Sequence, residues 1–493
     1  MKIFDERFLP NGDQKPEDYG VYPKSVHSAP NGETVFMARE RESDVLIAPE
    51  QVGFIGARFT NQAGDACVKA PLNHENAALL RKIFPFASPR PVLGESRTFG
   101  VGDRLGIAAP GHLRALRRYD ALPVLAQQSI RELNLTNRTY DDVLDRATFA
   151  VFREDWDRGF GADGDHLKTL DEVKYALSCG YTMITLDCGD RIRNNVGDMT
   201  DAQVGETYSP RPDWEKKYVG RRVTLDRGVS LEFDEASFAR MALIYGDAIE
   251  FACEIYNALI KDAAVDFEIS IDETMTPTTP AQHYFVAREL LDRGVSFASI
   301  APRFCGEFQK GIDYIGDIDQ FRREFLAHAA IAKHFGYKIS VHSGSDKFAV
   351  FPIVGELTEG RFHVKTAGTN WLEAMRLVAM KDPGLYREVH RFALSAFDDA
   401  CRYYHITGNP RNIPNVDKIA DDKLPVLFEQ NDSRQLIHIT YGMILSERSA
   451  DGSFVFKDRL NRLWRENDEA YFDLLDAHIG RHLELLYRGF ENI

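Results

Sequence analysis

The sequence predicts an α/β protein centred on a TIM-like (β/α)8 barrel, with a small N-terminal α+β region and a C-terminal helical region. From about residue 97 onward, short apolar runs that end in polar residues alternate with helical patterns, and eight such runs occur. Eight strand–helix units in one stretch are typical of a TIM barrel, whose active site lies at the carboxyl ends of the strands. A doubly wound sheet is the alternative that this count alone leaves open.

Composition narrows the class of protein. The 493-residue chain is 44% hydrophobic and 27% charged, as expected for a globular protein with one large domain and additions, or with two to three domains. Its net charge of −15 argues against binding to nucleic acid or to an anionic membrane, although a local basic pocket could still hold an anionic small molecule. The chain shows no apolar signal core or long apolar stretch, so we expect a cytoplasmic location. Its six scattered cysteines form no CxxC pair, which argues against a zinc finger or a disulfide framework.

Residues 1–95 are predicted to form the small accessory region. Its predicted strands are Thr34–Met37, Val45–Ala48 and Gly53–Phe59. Asn73 is the predicted cap of a helix whose apolar spacing covers residues 76–84. The segment Ala87–Pro91 is interpreted as a linker to the barrel.

The barrel is predicted over residues 96–370. Its eight predicted strands are Leu105–Ala109, Pro123–Ala126, Gly159–His166, Met183–Asp187, Val265–Asp272, Val295–Pro302, Lys338–His342 and Phe362–Thr366. The helical patterns between them include Leu170–Cys179, Pro280–Arg293 and Ile318–Phe335. A long insertion at about residues 191–262, with a helix from about Glu235 to Ile260, separates the fourth and fifth strands. Insertions of this size usually form a lid or an interface.

Residues 371–493 are predicted to be helical and to pack on the barrel. The predicted helices include Trp371–Met380, Tyr386–Tyr404 and Asn467–Tyr487. Arg434, His438 and Tyr441 lie at helical spacing, for which a contact between helix and barrel is the favoured interpretation over a direct role in the site. Assembly into a homo-oligomer is left open.

The run Lys338–Lys347 is the most informative candidate for the site. Its first half alternates apolar and polar residues as a strand does, and it ends at His342 before a polar loop that holds Asp346 and Lys347. A barrel builds its active site by delivering such side chains to strand ends. A lone strand histidine is often a satisfied core residue, but the polar cluster around His342 favours a functional role.

Carboxylates end or interrupt three other predicted strands. Glu268 shares one face of its strand with Ser270 and Asp272, and a carboxylate pointing into a barrel is costly unless it is paired or binds a metal. A buried structural ion pair is the alternative. Asp165 stands beside His166 at a strand end, which suits a base next to a metal ligand, or alternatively a helix cap. Asp187 brings a further carboxylate to the same rim.

The segment Arg303–Lys310 adds further polar groups to this rim, among them Glu307 and Gln309. Two histidines with a carboxylate or amide oxygen would bind a divalent cation and leave positions open for a substrate. The basic side chains that could bind a substrate carboxylate are Lys168, Arg303, Lys310, Lys347 and Lys365. Gly159–Gly164 matches GxGxxG, but the preceding residues do not read as a strand, so a nicotinamide site is not expected.

Together, four segments resemble the tagaturonate/fructuronate epimerases of bacterial hexuronate catabolism, which have also been used as tagatose 4-epimerases. The segments are Ala162–Lys168, Ser270–Thr274 with Pro277 and Pro280, Gly306–Gly311 and Val341–Phe348. The resemblance extends from about residue 97 to the C-terminus. It implies a divalent metal, with Mn, Co, Ni and Zn as the open choices, and a ketohexuronate or ketohexose as the small-molecule partner.

The resemblance also implies residue roles. Asp165 would accept a proton and Glu268 would donate one, with Asp272 and Glu273 as rival donors. The implied metal ligands are His166, Gln309 and His342, and Glu307 is the rival of Gln309 on grounds of charge. The expected substrate contacts are Lys168, Asp272, Glu273, Arg303, Glu307, Lys310, Ser343 and Lys347.

The implied reaction constrains the mechanism. Tagaturonate and fructuronate differ at C4 in ketose numbering, β to the ketone, so enolisation at the α carbon does not invert that centre. We expect metal-assisted retro-aldol cleavage and re-addition, with Asp165 and Glu268 on opposite sides of the substrate, in preference to transient oxidation by a nicotinamide. The alternatives are a metal-dependent aldolase or ketose isomerase, a non-catalytic sugar-binding protein and a dehydrogenase.

Overall fold

The structure, a computed structural model, describes residues 2–10 and 12–490. Its strands are β1 (His27–Ser28), β2 (Thr34–Arg39), β3 (Asp44–Pro49), β4 (Ala57–Thr60), β5 (Ala66–Pro71), β6 (Arg97–Val101), β7 (Leu122–Gln128), β8 (Gly161–Leu167), β9 (Met183–Asp187), β10 (Arg221–Thr224), β11 (Ser230–Phe233), β12 (Asp266–Ile271), β13 (Ser299–Pro302), β14 (Lys338–Val341) and β15 (Phe362–Thr366).

The helices surround these strands. They are α1 (His74–Ile83), α2 (Ala109–Leu116), α3 (Ile130–Thr136), α4 (Tyr140–Glu154), α5 (Leu170–Ser178), α6 (Asp201–Thr207), α7 (Pro212–Tyr218), α8 (Glu235–Ile255), α9 (Pro280–Asp292), α10 (Ile318–Phe335), α11 (Phe351–Leu357), α12 (Thr369–Lys381), α13 (Pro383–Ala400), α14 (Asn431–Ile439), α15 (Tyr441–Ser446), α16 (Lys457–Glu466) and α17 (Asp468–Arg488). Among the described residues, every helix is too short or too polar to cross a membrane.

A closed parallel barrel forms the centre of the fold. Strands β6 to β9 and β12 to β15 follow one another around it, and β15 pairs with β6 to close the ring. This arrangement confirms the predicted TIM-like barrel. Because all eight strands run in one direction, their carboxyl ends meet at one face, where side chains far apart in sequence come together.

The prediction of the first barrel strand at residues 105–109 was wrong. Residues 105–109 form a turn and the start of α2, and the strand is β6. The carboxylate of Asp103 explains the turn, because it accepts hydrogen bonds from the backbone N–H groups of Leu105, Gly106 and Ala108 at 3.0, 2.8 and 2.6 Å. Gly106 also has a left-handed φ of 75°, which an extended strand does not use.

The N-terminal region contains a five-stranded sheet in the order β1-β2-β3-β5-β4 with antiparallel pairs. Its three predicted strands all overlap observed ones, whereas β1 and β5 were missed. The predicted cap is confirmed, since the Asn73 side chain accepts a hydrogen bond from the Asn76 N–H at 3.0 Å.

The insertion between β9 and β12 holds three helices and the β10–β11 hairpin. Its long helix α8 continues into a π-helical turn at residues 256–260, in agreement with the predicted helix. Lys217 and the Tyr218 hydroxyl both contact Glu289 of α9, at 2.6 and 2.8 Å. These contacts join the insertion to the outside of the barrel.

The last helices pack on the barrel and on each other. Helix α17 contacts α2 and α11. At one of these contacts, a side chain on Gly355 would overlap the carbonyl oxygen of Leu486, so the two helices approach closely. A second apolar core beneath them contains the buried Trp371 and Trp464. The observed α12, α13 and α17 match the three predicted C-terminal helices to within a few residues.

Candidate active site

A cavity of about 950 Å³ lies at the carboxyl ends of the barrel strands. Most of the predicted site residues line it: Asp165, His166, Lys168, Asp272, Glu273, Arg303, Glu307, Gln309, Lys310, His342 and Ser343. Glu268 and Lys347 are the two predicted residues outside this lining. A single cavity therefore gathers side chains from β8 and from the loops that follow β12, β13 and β14.

A bulge in β8 brings two neighbouring side chains into the cavity. Consecutive residues of a regular strand point to opposite faces. The pairing of β8 with β9 shifts register between Gly164 and Leu167, and His166 has a left-handed φ of 53°. A bulge of this kind re-aims side chains, so Asp165 and His166 both face the cavity.

Lys365 of β15 lies at the centre of a buried charge network. Its ammonium is 2.7 Å from the Asp163 carboxylate, 2.5 Å from that of Asp165 and 3.3 Å from that of Glu268. It also donates to the Thr185 hydroxyl at 2.7 Å. Because three carboxylates surround it, the pKa of Lys365 is raised well above its usual range even though burial alone would lower it.

The carboxylates of β8 differ in their acidity. Burial favours the protonated form of Asp165, but the charges of Lys365 and His166 outweigh it and lower the pKa to about 2. For Asp163, which lies deeper, burial prevails over Lys365 and raises the pKa to about 6. Of these two carboxylates, Asp165 is therefore the one that is ionised and lines the cavity.

The structure places Glu268, the predicted proton donor, behind His342 and outside the lining of the cavity. Its side chain is 0% exposed, and its oxygens contact His342 Nε2 at 2.7 Å and the Ser299 hydroxyl at 2.5 Å as well as Lys365. Burial opposes ionisation, but Lys365 and His342 hold the pKa of Glu268 well below its usual range. The structure therefore pairs Glu268 with His342 and Lys365, and its role as proton donor stays a prediction.

Three groups near the cavity floor suit a divalent cation. Ligand atoms of His166, Asp272 and His342 all lie within 4.8 Å of one another. His342 Nδ1 is 3.2 Å from an Asp272 oxygen without hydrogen-bond geometry, and Nδ1 of His166 is also buried without a hydrogen bond. Burial lowers the pKa of His342, but Asp272 and Glu268 outweigh it and raise it to about 10. Negative charge that holds a proton there also favours a metal cation.

Gln309, a predicted ligand, has its side-chain oxygen engaged elsewhere. That oxygen accepts hydrogen bonds from the Thr407 N–H and hydroxyl, both at 2.9 Å, and from the Gln435 amide at 3.0 Å. The side chain therefore ties the loop after β13 to the C-terminal region. Glu307, its rival, is 3.7 Å from His405 at the rim of the cavity.

Lys347 was predicted to bind a substrate, and the structure gives it a different contact. Its ammonium donates to the carbonyl oxygens of Gln309, Ile312 and Ser345 at 2.8, 2.5 and 2.8 Å. With all three N–H groups engaged and 0% exposure, the side chain fastens the loops after β13 and β14 together.

Some cavity residues were missed from the sequence. Arg104 and Glu132 form a buried ion pair at 2.7 Å in the wall. Helix α14 supports this wall with two of the three residues predicted at helical spacing: His438 approaches Arg104 at 3.4 Å, and Arg434 pairs with Asp346 at 2.8 Å. The third residue, Tyr441, begins α15. These contacts join segments more than 300 and more than 80 residues apart, so no local pattern reveals them.

Comparisons with known proteins point to one family. A family model described as tagaturonate epimerase matches residues 22–486. The chain is 41% identical over 497 residues to a tagaturonate/fructuronate epimerase of Thermotoga maritima, covering 99% of both chains. It is 47% identical to the fructuronate-tagaturonate epimerase of Cohnella laeviribosi. The native crystal structure of that protein superposes with a TM-score of 0.91 over 94% of this chain and 96% of the other, and a two-glycerol complex with a TM-score of 0.92 over the same shares. The chain therefore belongs to the tagaturonate epimerase family and is an enzyme of the isomerase class.

Proposed function

We propose that this enzyme interconverts D-tagaturonate and D-fructuronate by epimerisation at C4 in ketose numbering. The observation that carries the proposal is the ionised Asp165 facing a cavity whose floor holds the His166, Asp272 and His342 cluster. Membership in the family, at full length, supports the choice of substrate. A neutral ketohexose such as tagatose is the alternative substrate for the same chemistry.

We assign His166, Asp272 and His342 as the residues that would hold a divalent cation. Two imidazoles and one carboxylate form a borderline donor set that leaves coordination positions open. When bound, the cation would polarise the C2 carbonyl of the substrate as a Lewis acid. Asp272 takes the place of Gln309 in this assignment because the oxygen of Gln309 already accepts three hydrogen bonds.

Asp165 is the proposed base that takes the proton of the C4 hydroxyl. As that proton leaves, the C3–C4 bond breaks, its electron pair passes to the C2–C3 enolate, and C4 becomes an aldehyde carbon. Re-addition to the opposite face of the aldehyde re-forms the bond with inverted configuration. The charge of Lys365, whose ammonium is 2.5 Å from an Asp165 oxygen, keeps this carboxylate ionised.

Glu268 acts in this proposal as a positioning residue for His342. Its contact with Nε2 at 2.7 Å fixes the orientation of the ring and turns Nδ1 toward Asp272. Carboxylates in this position commonly orient a histidine that binds a metal. Glu273, which lines the cavity and is exposed, stays a predicted partner in proton transfer.

The test is conversion of D-tagaturonate in deuterated water, followed by proton NMR. We expect fructuronate to appear with hydrogen retained at C4, because cleavage of the C3–C4 bond never removes that hydrogen. Asp165→Asn should abolish conversion, whereas Asp171→Asn, at a side chain 94% exposed on α5, is the matched control and should leave it intact. Unchanged tagaturonate with the unmodified protein contradicts the proposal, and deuterium at C4 contradicts the cleavage route.

A further inference from the structure

The cavity is lined by six basic side chains, which differ in how their charge is balanced. They are Arg104, Arg131, Lys168, Arg303, Lys310 and Lys365. Arg104 pairs with Glu132 at 2.7 Å, Lys168 pairs with Asp190 at 3.1 Å, and Lys365 lies among three carboxylates. These three cations are already neutralised by the protein.

The other three basic side chains differ in their surroundings. Arg131 is exposed and lies over the Tyr404 ring, with 5.2 Å between its guanidinium carbon and the ring centroid. Arg303 donates from its guanidinium to the backbone carbonyl of Thr274. Among the described residues, Arg303 and Lys310 each make one side-chain hydrogen bond and have no carboxylate partner. The bond of Arg303 goes to a backbone carbonyl, whereas that of Lys310 goes to a second cavity side chain, the Ser343 hydroxyl.

The ammonium of Lys310 has one hydrogen-bond partner in the described chain. It donates to the Ser343 hydroxyl at 3.0 Å, so two of its N–H groups have no acceptor among the described residues. No carboxylate oxygen of these residues lies within 4.0 Å of it. Burial, followed by the charge of Arg104, lowers the pKa of Lys310, and an anion bound beside it would oppose both effects.

We propose that Lys310 and Ser343 form the subsite that binds the C6 carboxylate of the substrate and so select a ketohexuronate over a neutral ketohexose. A half-buried cation without a counter-ion is unfavourable unless a ligand supplies the negative charge. The two free N–H groups and the Ser343 hydroxyl together offer three donors to the two oxygens of a carboxylate. The inference rests on the proposed function, because it assumes an acid sugar as the substrate.

This subsite would also serve the cleavage route. After the C3–C4 bond breaks, the aldehyde fragment of C4 to C6 carries the carboxylate. An ion pair at Lys310 would retain that fragment while its aldehyde carbon turns its other face to the enolate. Ser343 directly follows His342 in sequence, so the subsite lies beside the proposed metal cluster.

Binding measurements can test the subsite separately from turnover. D-Tagaturonate and D-tagatose differ only at C6, as a carboxylate and a hydroxymethyl group. Their dissociation constants would be measured by calorimetry in the full chain carrying Asp165→Asn, so that conversion does not interfere. Adding Lys310→Met should weaken tagaturonate binding roughly 10- to 100-fold, the range expected for a hydrogen bond to a charged group. Tagatose binding should change less than about threefold.

Three further variants complete the test. Lys310→Arg should keep most of the affinity for tagaturonate. Ser343→Ala should weaken it roughly fivefold, and this variant decides the matter if Lys310→Met fails to fold. Arg131→Met removes the same charge at the exposed rim, where solvent screens it, and should change the affinity less than about threefold.

The outcomes separate the subsite from the proposed function. Loss of affinity for tagaturonate alone on removal of Lys310 supports the subsite. Equal losses for both sugars, or no loss for either, overturn it even if the unmodified enzyme converts tagaturonate. Conversely, an enzyme that leaves tagaturonate unconverted but binds it in a Lys310-dependent way keeps the subsite and overturns the proposed function.

Discussion

Replacing Lys365 with methionine tests the buried charge network of the barrel. The substitution keeps an unbranched side chain of similar length but removes an ammonium that lies 2.7, 2.5 and 3.3 Å from three carboxylates. Removing one partner of a buried ion pair costs about 3–5 kcal/mol, because the remaining charge is left without compensation. We therefore expect the free energy of unfolding at pH 7 to fall by about 3–5 kcal/mol.

Lys338→Met is the matched control for this experiment. Lys338 lies in the neighbouring strand β14 and is 1% exposed, but its ammonium donates to neutral oxygens, those of the Thr98 hydroxyl at 2.8 Å and the Glu95 carbonyl at 2.9 Å. Its removal leaves no buried carboxylate unpaired, so we expect a loss below about 2 kcal/mol.

The assay is equilibrium unfolding in urea, followed by circular dichroism and tryptophan fluorescence and analysed where the two transitions coincide. If Lys365→Met and Lys338→Met lose the same stability to within about 1 kcal/mol, Lys365 does not stabilise the three carboxylates, and the reasoning fails.

Three further predictions concern other parts of the molecule. Glu268→Gln should weaken Mn²⁺ binding to chelator-treated protein roughly 10- to 100-fold, as measured by calorimetry. Unchanged affinity together with lost activity would contradict the positioning role and favour the predicted role of proton donor. Burial lowers the pKa of Lys338 to about 7, below that of an unfolded lysine, so the unfolded chain binds more protons and the lysine contributes less stability as pH falls toward 7. The stability of Lys338→Met relative to the unmodified protein should therefore rise by about 2.3 kcal/mol between pH 9 and pH 7 and by only about 0.4 kcal/mol more from pH 7 to pH 5. A difference independent of pH would contradict the lowered pKa. Gly355→Ala should lower the free energy of unfolding by about 1–3 kcal/mol in thermal unfolding, because the added methyl group disturbs the packing of α11 on α17. The control Gly205→Ala, in open space on α6, should be neutral or stabilise the protein by up to about 1 kcal/mol. Equal effects of the two substitutions would refute the close approach of α11 and α17.

Local sequence patterns predicted much of the fold, because the residues within most helices and strands determine those elements. Helix α10 has the predicted bounds, and Asn73 caps α1 as expected. Residues 105–109 misled the prediction because their apolar composition resembles a strand, while the turn depends on how Asp103 caps three backbone N–H groups. Side-chain capping of that kind overrides a short apolar pattern.

The sequence predicted most of the residues that form the candidate site, but not how deeply each one is buried. The alternation of residues along β12 predicted that Glu268 points into the barrel. The contacts of its carboxylate with His342, Ser299 and Lys365 involve strands that are distant in sequence, so no local pattern predicts them. The bulge that turns both Asp165 and His166 toward the cavity also breaks the regular alternation on which such predictions depend.

The most direct test of the account is metal-dependent conversion. Protein stripped with a chelator would be given D-tagaturonate with and without added Mn²⁺, and fructuronate would be followed by NMR. The account predicts no conversion in the stripped protein and recovery on addition of metal, with recovery lost in Asp272→Asn. Full conversion by the stripped protein, or recovery that depends on added nicotinamide and not on metal, would contradict it.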